Sequence, residues 1–247
     1  MATNLLYMDN SQLYQCQSKL VKIEAIEDGS SALILDKSIF YPKGGGQPCD
    51  KGVVSINGKN IAVNKVFYAD GEVYHVIDNS HAENFELGCE VSLNVDAVVR
   101  NTYSKLHTLT HLVDDAMFEM GYSFNPLSGC SYVDSTYVEY EGTLEGIVSK
   151  EDLKFSLEEK INNFIKQGFD VRTSYVKRED LSKACYKFPA DVASIDKPLR
   201  VVITHGDKGI ACGGTHVKNI SELGGAVIKK ISDKKGIIRV SCNLAKE

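Results

Sequence analysis

The sequence has no surplus of positive charge. Lys and Arg total 28 against 33 Asp and Glu, for a net charge of -5, which excludes a polycationic coat for nucleic acid but leaves room for a local basic patch. It has no apolar run near the roughly 18 residues that a membrane span needs. Its opening, MATNLLYMDNSQ, lacks the basic-then-apolar order of a signal peptide. It has no tight cysteine pair: Cys16, Cys49, Cys89, Cys130, Cys185, Cys212 and Cys242 are odd in number and scattered. That usage fits a reducing cytoplasm better than a disulfide framework, so a cytoplasmic location without a membrane is expected. No repeat or low-complexity tract interrupts 247 residues that are 43% hydrophobic and 25% charged. Such a chain forms one or two globular domains with a sizeable core.

What is present changes character near residue 96. Before it lie short β-favouring runs divided by turn pairs. Residues 19–26 and 32–35 flank Asp28-Gly29, and 53–56 and 61–67 flank Asn57-Gly58, a pair suited to the two positive φ values of a type I′ turn. Asp70-Gly71 precedes a run at 72–77, and 90–95 alternates. Residues 1–95 are therefore expected to form a small β-barrel or sandwich. From Asp96, an N-cap, helical periodicity runs to about residue 120, with Gly121 as the stop. Leu106, Leu109, Leu112, Val113, Ala116, Met117 and Met120 make one apolar stripe. A second helix is expected over 150–167, capped by Ser149 and closed by Gly168. Runs at 132–140, 171–176, 199–204, 226–231 and 237–242 read as strands, the last two joined through 233–236. Residues 96–247 thus read as an α+β layer, helices against a largely antiparallel sheet.

Two pairs of metal-ligating side chains stand out. His107 and His111 form H-T-L-T-H. One helical turn sets such a pair about 5–6 Å apart at Cβ, outside the apolar stripe, where the two can share an ion; two ordinary surface histidines are the alternative. About a hundred residues on, Cys212 and His216 sit in C-G-G-T-H, whose glycines allow a tight path with both ends inward. Together the four make a Cys-His₃ set suited to zinc. Four protein ligands suit a closed structural site, and a catalytic one needs a labile ligand or a fifth position. The helix is not that of a zinc protease, because Thr108 stands where the general base Glu belongs. His75, His81 and His205 have no partner at ligand spacing and read as structural or solvent-exposed.

The other unusual segment is F-Y-P-K-G-G-G-Q-P-C-D-K-G, residues 40–52. Three glycines in a row cost too much chain entropy for idle packing and suit a backbone lying close to a ligand. No Gly-Lys-Ser/Thr ending makes it a phosphate-binding P-loop. Pro42 and Pro48 fix φ on both sides and oppose plain flexibility.

In combination and in order, F-Y-P-K-G-G-G-Q-P-x-D-x-G, R-x₆-H-T-x-T-H-L and C-G-G-T-H resemble the editing domain of alanyl-tRNA synthetase, and above all the freestanding AlaX proteins of medium size. Ser221–Gly225 and the final K-K-G-I-I-R-V extend the likeness over nearly the whole chain. The resemblance implies a barrel followed by a two-layer editing domain of the threonyl/alanyl-tRNA synthetase type. It implies zinc at His107, His111, Cys212 and His216, and hydrolysis, in trans, of serine mischarged onto alanine tRNA, with glycine as a second substrate. Nothing in the chain resembles an aminoacylation domain. Where the family places a Thr or a nearby Gln against the substrate, this chain has Ser128. Gln47, Thr110 and Ser128 are candidates for reading serine's hydroxyl, since a site that bonds a hydroxyl rejects the analogue lacking it. The N–H groups of Gly44, Gly45 and Gly46 are candidates for holding the 3′-terminal ribose or phosphate of the tRNA. Lys218, Lys229, Lys230, Lys234, Lys235 and Arg239 offer a local phosphate-binding face. A noncatalytic zinc-stabilised tRNA-binding module and a zinc hydrolase of small esters are the rival readings.

Overall fold

A computed structural model describes residues 2–187 and 198–245. The chain divides into two compact units, Met1–Thr102 and Tyr103–Glu247. No helix among the described residues is long and apolar enough to cross a membrane.

The first unit holds β1 (Asn4–Leu5), a single helical turn α1 (Leu6–Asp9), β2 (Gln15–Ala25), β3 (Ser31–Leu35), β4 (Lys37–Ser38), β5 (Gly52–Ile56), β6 (Lys59–Val63), β7 (Lys65–Ala69), β8 (Glu72–Ile77) and β9 (Glu90–Val95). Seven of these strands form one antiparallel row in the order β6-β5-β9-β2-β3-β8-β7. The long β2 turns its corner. Its residues 15–19 pair with β9 and its residues 20–25 with β3, the device by which one strand serves two packed layers. The interior is filled by Leu20, Leu33, Leu35, Phe40, Val54, Val63, Val73, Leu93 and their neighbours. The hairpins at Asn57-Gly58 and Asp70-Gly71 carry positive φ at both residues, as a type I′ turn demands. One expected strand, 61–67, is two: the ladder breaks at Asn64, so β6 ends one side of the row and β7 the other. A period-2 pattern that continues through a corner conceals such a break.

The helix α2 (Ala97–Glu119) begins in the first unit and ends in the second. Asp96 accepts from the N–H groups of Val98 and Val99, and Gly121 closes the other end with φ +84°. The division of the chain falls seven residues after the expected one between 95 and 96. Arg100, on the first turn, is buried with Asp50 and the carbonyls of Ser11 and Ile39, all in the first unit.

The second unit continues with β10 (Asn125–Tyr132), β11 (Ser135–Glu141), α3 (Lys150–Gln167), β12 (Arg172–Val176), one turn α4 (Leu181–Ala184), β13 (Cys185–Lys187), β14 (Leu199–Ile203), β15 (Gly209–Ala211), β16 (Ala226–Lys234) and β17 (Ile237–Leu244). The expected strand over 132–140 is β11, which starts at Ser135 after a turn at Val133-Asp134, and its hairpin partner β10 has no counterpart in the sequence reading. Two four-stranded sheets result, β10-β11-β17-β16 and β12-β14-β15-β13. On the first, Val138, Tyr140, Ile238 and Val240 face inward and join the stripe of α2 and Leu153, Leu157, Ile161 and Phe164 of α3 in one core. Ser149 caps α3 and Gly168 ends it at φ +72°, as the sequence pattern predicts. The whole is a mixed α+β chain of largely antiparallel sheets.

Candidate metal centre

His107 and His111 leave α2 on the side away from its core stripe, with ring centroids 5.1 Å apart. Cys212 follows β15 directly, and β15 is set by its neighbours β13 and β14. The Cys212 N–H donates to the Arg200 carbonyl at 2.9 Å. In return Arg200 Nη1 donates to the carbonyls of Cys212 and Gly214, both at 2.9 Å. The guanidinium therefore holds the C-G-G-T-H turn from inside, and the Gly214 N–H points at Cys212 Sγ from 3.3 Å.

This turn brings the distant pairs together. Cys212 Sγ lies 3.6 Å from His107 Nε2 and 3.5 Å from His216 Nε2. The His216 ring is 4.6 Å from that of His107 and 4.5 Å from that of His111. One ligand atom from each of the four residues lies within 4.8 Å of the others, so the set could hold a metal ion.

The surroundings prepare the four for that role. Thr108 Oγ1 donates to the Ser104 carbonyl at 2.8 Å, so its lone pairs accept, from His216 Nδ1 at 3.1 Å and from the Val217 N–H at 3.3 Å. That network puts the His216 proton on Nδ1 and turns the Nε2 lone pair toward Cys212. Ser104 and Thr215 hydroxyls bond each other at 2.8 Å. Burial pulls the pKa of His107 down to about 4, with Arg200 adding to it. Burial likewise puts His111 and His216 well below 6.5, and the neighbouring rings and Arg200 push the same way. All three rings are neutral bases at pH 7, the form that binds metal. Burial pushes the Cys212 thiol up, opposed by the Gly214 N–H and Arg200. His111 Nδ1 and Arg200 Nε are buried with no hydrogen-bond partner among the described residues.

The remaining sequence candidates are placed as follows. Thr110 is buried on α2 and donates to the His107 carbonyl at 2.7 Å. Ser128 donates to Glu139 at 2.6 Å, and Glu139 also accepts from Arg239. This chain lies on the face of the sheet opposite Val138 and Tyr140. Gln47 is fully buried in the first unit. There Gly44 and Gln47 bond each other's backbone, at 3.2 and 2.8 Å, around Gly45 at φ +51° and Gly46 at φ +76°. The glycine run is thus a type I′ turn, and its conformation alone favours glycine at two positions. A Cβ on Gly45 would meet nothing nearer than Tyr41 Oη at 3.8 Å. Of the basic residues, Lys229 and Lys230 are both exposed, beside a register shift in β16. Arg239 is engaged by Glu139 and lies over the Tyr137 ring.

Sequence reasoning missed Thr108, Ser104 and Arg200. The first two had a signal, since 104 and 108 share the face of His107 and His111 at helical spacing; Arg200 had none.

Two family models match the chain: class II (A) tRNA synthetases over residues 4–99 and the second additional domain of threonyl and alanyl tRNA synthetases over residues 199–241. The second span includes Cys212 and His216. Over nearly its whole length the chain is similar to alanyl-tRNA editing proteins and editing domains. It is 29% identical over 90% of its length to the alanyl-tRNA editing protein AlaX-M of Pyrococcus horikoshii, covering 88% of that protein. It is 33% identical over 85% of its length to the alanine–tRNA ligase of Ligilactobacillus salivarius, and 27% over 92% to that of Methanobrevibacter smithii. The chain spans only 23% and 25% of those two ligases.

Proposed function

We propose that this protein is a trans-acting aminoacyl-tRNA deacylase in the cytoplasm, hydrolysing the ester of mischarged alanine tRNA, Ser-tRNA(Ala) first and Gly-tRNA(Ala) second. The observation that carries this reading is the meeting of three neutral imidazoles and one thiol at a buried point built by α2 and the C-G-G-T-H turn. The set fits zinc. Sulfur at about 2.3 Å and nitrogen at about 2.0–2.1 Å around a tetrahedral ion stand about 3.6 Å from each other, and the two separations here are 3.6 and 3.5 Å. His107, His111, Cys212 and His216 would hold it. Bound zinc would supply Lewis-acid polarisation of the ester, through a fifth position or in place of a labile ligand.

The chain's own groups do the rest. Thr108 holds the His216 proton at Nδ1 and keeps Nε2 basic. Arg200 fixes the turn that carries Cys212. Thr110, with its proton given to a carbonyl, offers lone pairs to serine's hydroxyl. Gln47 is proposed for the hydroxyl from the sequence pattern alone. Ser128 offers only lone pairs, its proton being committed to Glu139. Alanine lacks the hydroxyl and would leave the Thr110 lone pairs unmet, which is how such a site rejects it. In the glycine turn the Gly44 N–H is used by the turn itself, so Gly45 and Gly46 remain to meet the 3′-terminal nucleotide. Lys218, Lys229, Lys230, Lys234 and Lys235 supply the phosphate contacts. Residues 1–95 serve as a barrel domain carrying the glycine turn, and 96–247 as the editing domain. The corner in β2 supports the barrel reading.

Single-turnover deacylation of Ser-, Gly- and Ala-tRNA(Ala) by zinc-loaded and chelator-treated protein tests the proposal. Rapid loss of serine, slow loss of alanine and dependence on zinc are expected. Zinc-loaded protein that binds the tRNA but leaves every ester intact overturns it in favour of a binding module. Equal hydrolysis of small free esters overturns it in favour of a general esterase.

A further inference from the structure

One turn beyond His111, α2 carries a carboxyl that the hydrolysis does not use. Asp115 is 4% exposed. Its Oδ1 bonds the Tyr186 hydroxyl on β13 at 3.0 Å, and its Oδ2 bonds the Thr204 hydroxyl, one residue past β14. The Tyr186 ring stacks on Phe118 of α2, centroids 4.6 Å apart. The strands β13 and β14 are the two neighbours of β15, which leads straight into Cys212. Asp115 thus joins the helix that bears His107 and His111 to both strands that position the other ligand pair. The ionisable groups that act on it are acidic or phenolic. Asp114 and Glu119 flank it on α2, and Tyr140 of β11 donates to Asp114 at 2.6 Å. Two basic residues, Lys160 and His205, lie further along and both pair with Glu119.

We propose that Asp115 is a positioning residue: as a neutral acid it bolts α2 to β13 and β14 and so keeps the two ligand pairs of the metal centre within reach of one ion. The proposal rests on the metal-centre part of the reading above and on no step with tRNA. The acid's proton lies in one of the two hydrogen bonds, since both hydroxyls can accept as well as donate. Burial, above all, raises its pKa to about 8; Asp114 and Glu119 add to the rise, and Thr204 and Tyr186 oppose it. The folded value lies above the unfolded one of about 3.9, so the folded state holds the extra proton. Stability is therefore full below about pH 4, falls as pH rises toward 8, and levels off beyond. Above pH 8 a buried carboxylate without a cation favours opening of the clasp to water.

Asp115→Asn keeps the shape and removes the titration. Thermal melts of wild type and variant from pH 5 to 9, zinc-free, should diverge: the wild-type Tm falls on the order of 5 °C further than the variant's. Zinc affinity by competition with a chromophoric chelator gives the second arm. Titration of the ligands themselves is common to both proteins and cancels in the ratio of their affinities. That ratio should be near unity at pH 6.5 and reach about tenfold in the variant's favour at pH 9. Tyr186→Phe, which keeps the stack and deletes one bond that holds the carboxyl's pKa down, should move the wild-type break to higher pH, and it serves if the Asn variant does not fold. Melts that run parallel at all pH overturn the proposal. So do melts that diverge while the zinc ratio stays flat, because Asp115 is then structural only. Absence of stoichiometric zinc from both proteins overturns the metal reading itself, and the proposal with it.

Discussion

His75 in the first unit and His107 in the second are both fully desolvated, and burial holds both near pKa 4. The difference is in what their nitrogens meet. His75 Nδ1 bonds the Leu33 carbonyl at 2.9 Å and Nε2 meets the Ser38 hydroxyl at 2.7 Å, so the ring is closed on its neighbours. His107 turns Nε2 toward Cys212 and stands among His111 and His216. The same contrast holds for the two buried arginines. Arg100 spends its donors on Asp50, Ser11 and Ile39, whereas Arg200 keeps Nε buried without a partner among the described residues, beside the C-G-G-T-H turn. A depressed pKa thus marks burial in both units. Only the convergence of basic atoms marks a site.

The comparison can be broken most decisively at Cys212. If the second unit's core stands without metal, as its continuous apolar cluster of α2, α3 and sheet suggests, Cys212→Ala stays folded by circular dichroism. Its single-turnover deacylation drops by ~10²–10⁴. A variant that melts with its activity makes the ion a structural staple. In the first unit the largest effect should be on stability alone. Asp50→Ala leaves Arg100 charged, buried and unpaired, which costs about 3–5 kcal/mol; urea unfolding measures it, and zinc content should not change. Thr108→Val sharpens the contrast at intermediate size. The loss of the hydrogen bond to His216 Nδ1 should weaken zinc about 10–100-fold with little change in the metal-free melt. The smallest effect is Gly45→Ala. A side chain at φ +51° costs about 1–2 kcal/mol of strain with no steric clash, and a denaturation midpoint reads it.

Much of this was legible from spacing. Caps and stops at Asp96, Gly121, Ser149 and Gly168 delimited both long helices, because an N-cap oxygen and a left-handed glycine act within one turn of themselves. H-T-L-T-H and C-G-G-T-H named the four residues that meet, since each pair spans a single local turn. Strand breaks were less legible. The runs 61–67 and 132–140 kept their apolar character across a corner and a hairpin, and alternation carries no record of where a ladder changes partner. The groups around the site were hidden for another reason. Arg200 lies 93 residues from His107, Asp115 reads as one more charge on an amphipathic helix, and only packing shows that each is buried.

The sequence by itself determined which residues could be ligands, which faces would be apolar and where the chain would turn, because those depend on neighbours within about four residues. The tertiary structure alone decided that the helix pair and the loop pair meet, that the histidines there are neutral, and that His75 is spoken for. Meeting, desolvation and hydrogen-bond satisfaction are properties of atoms brought together from distant parts of the chain, and no local pattern encodes them.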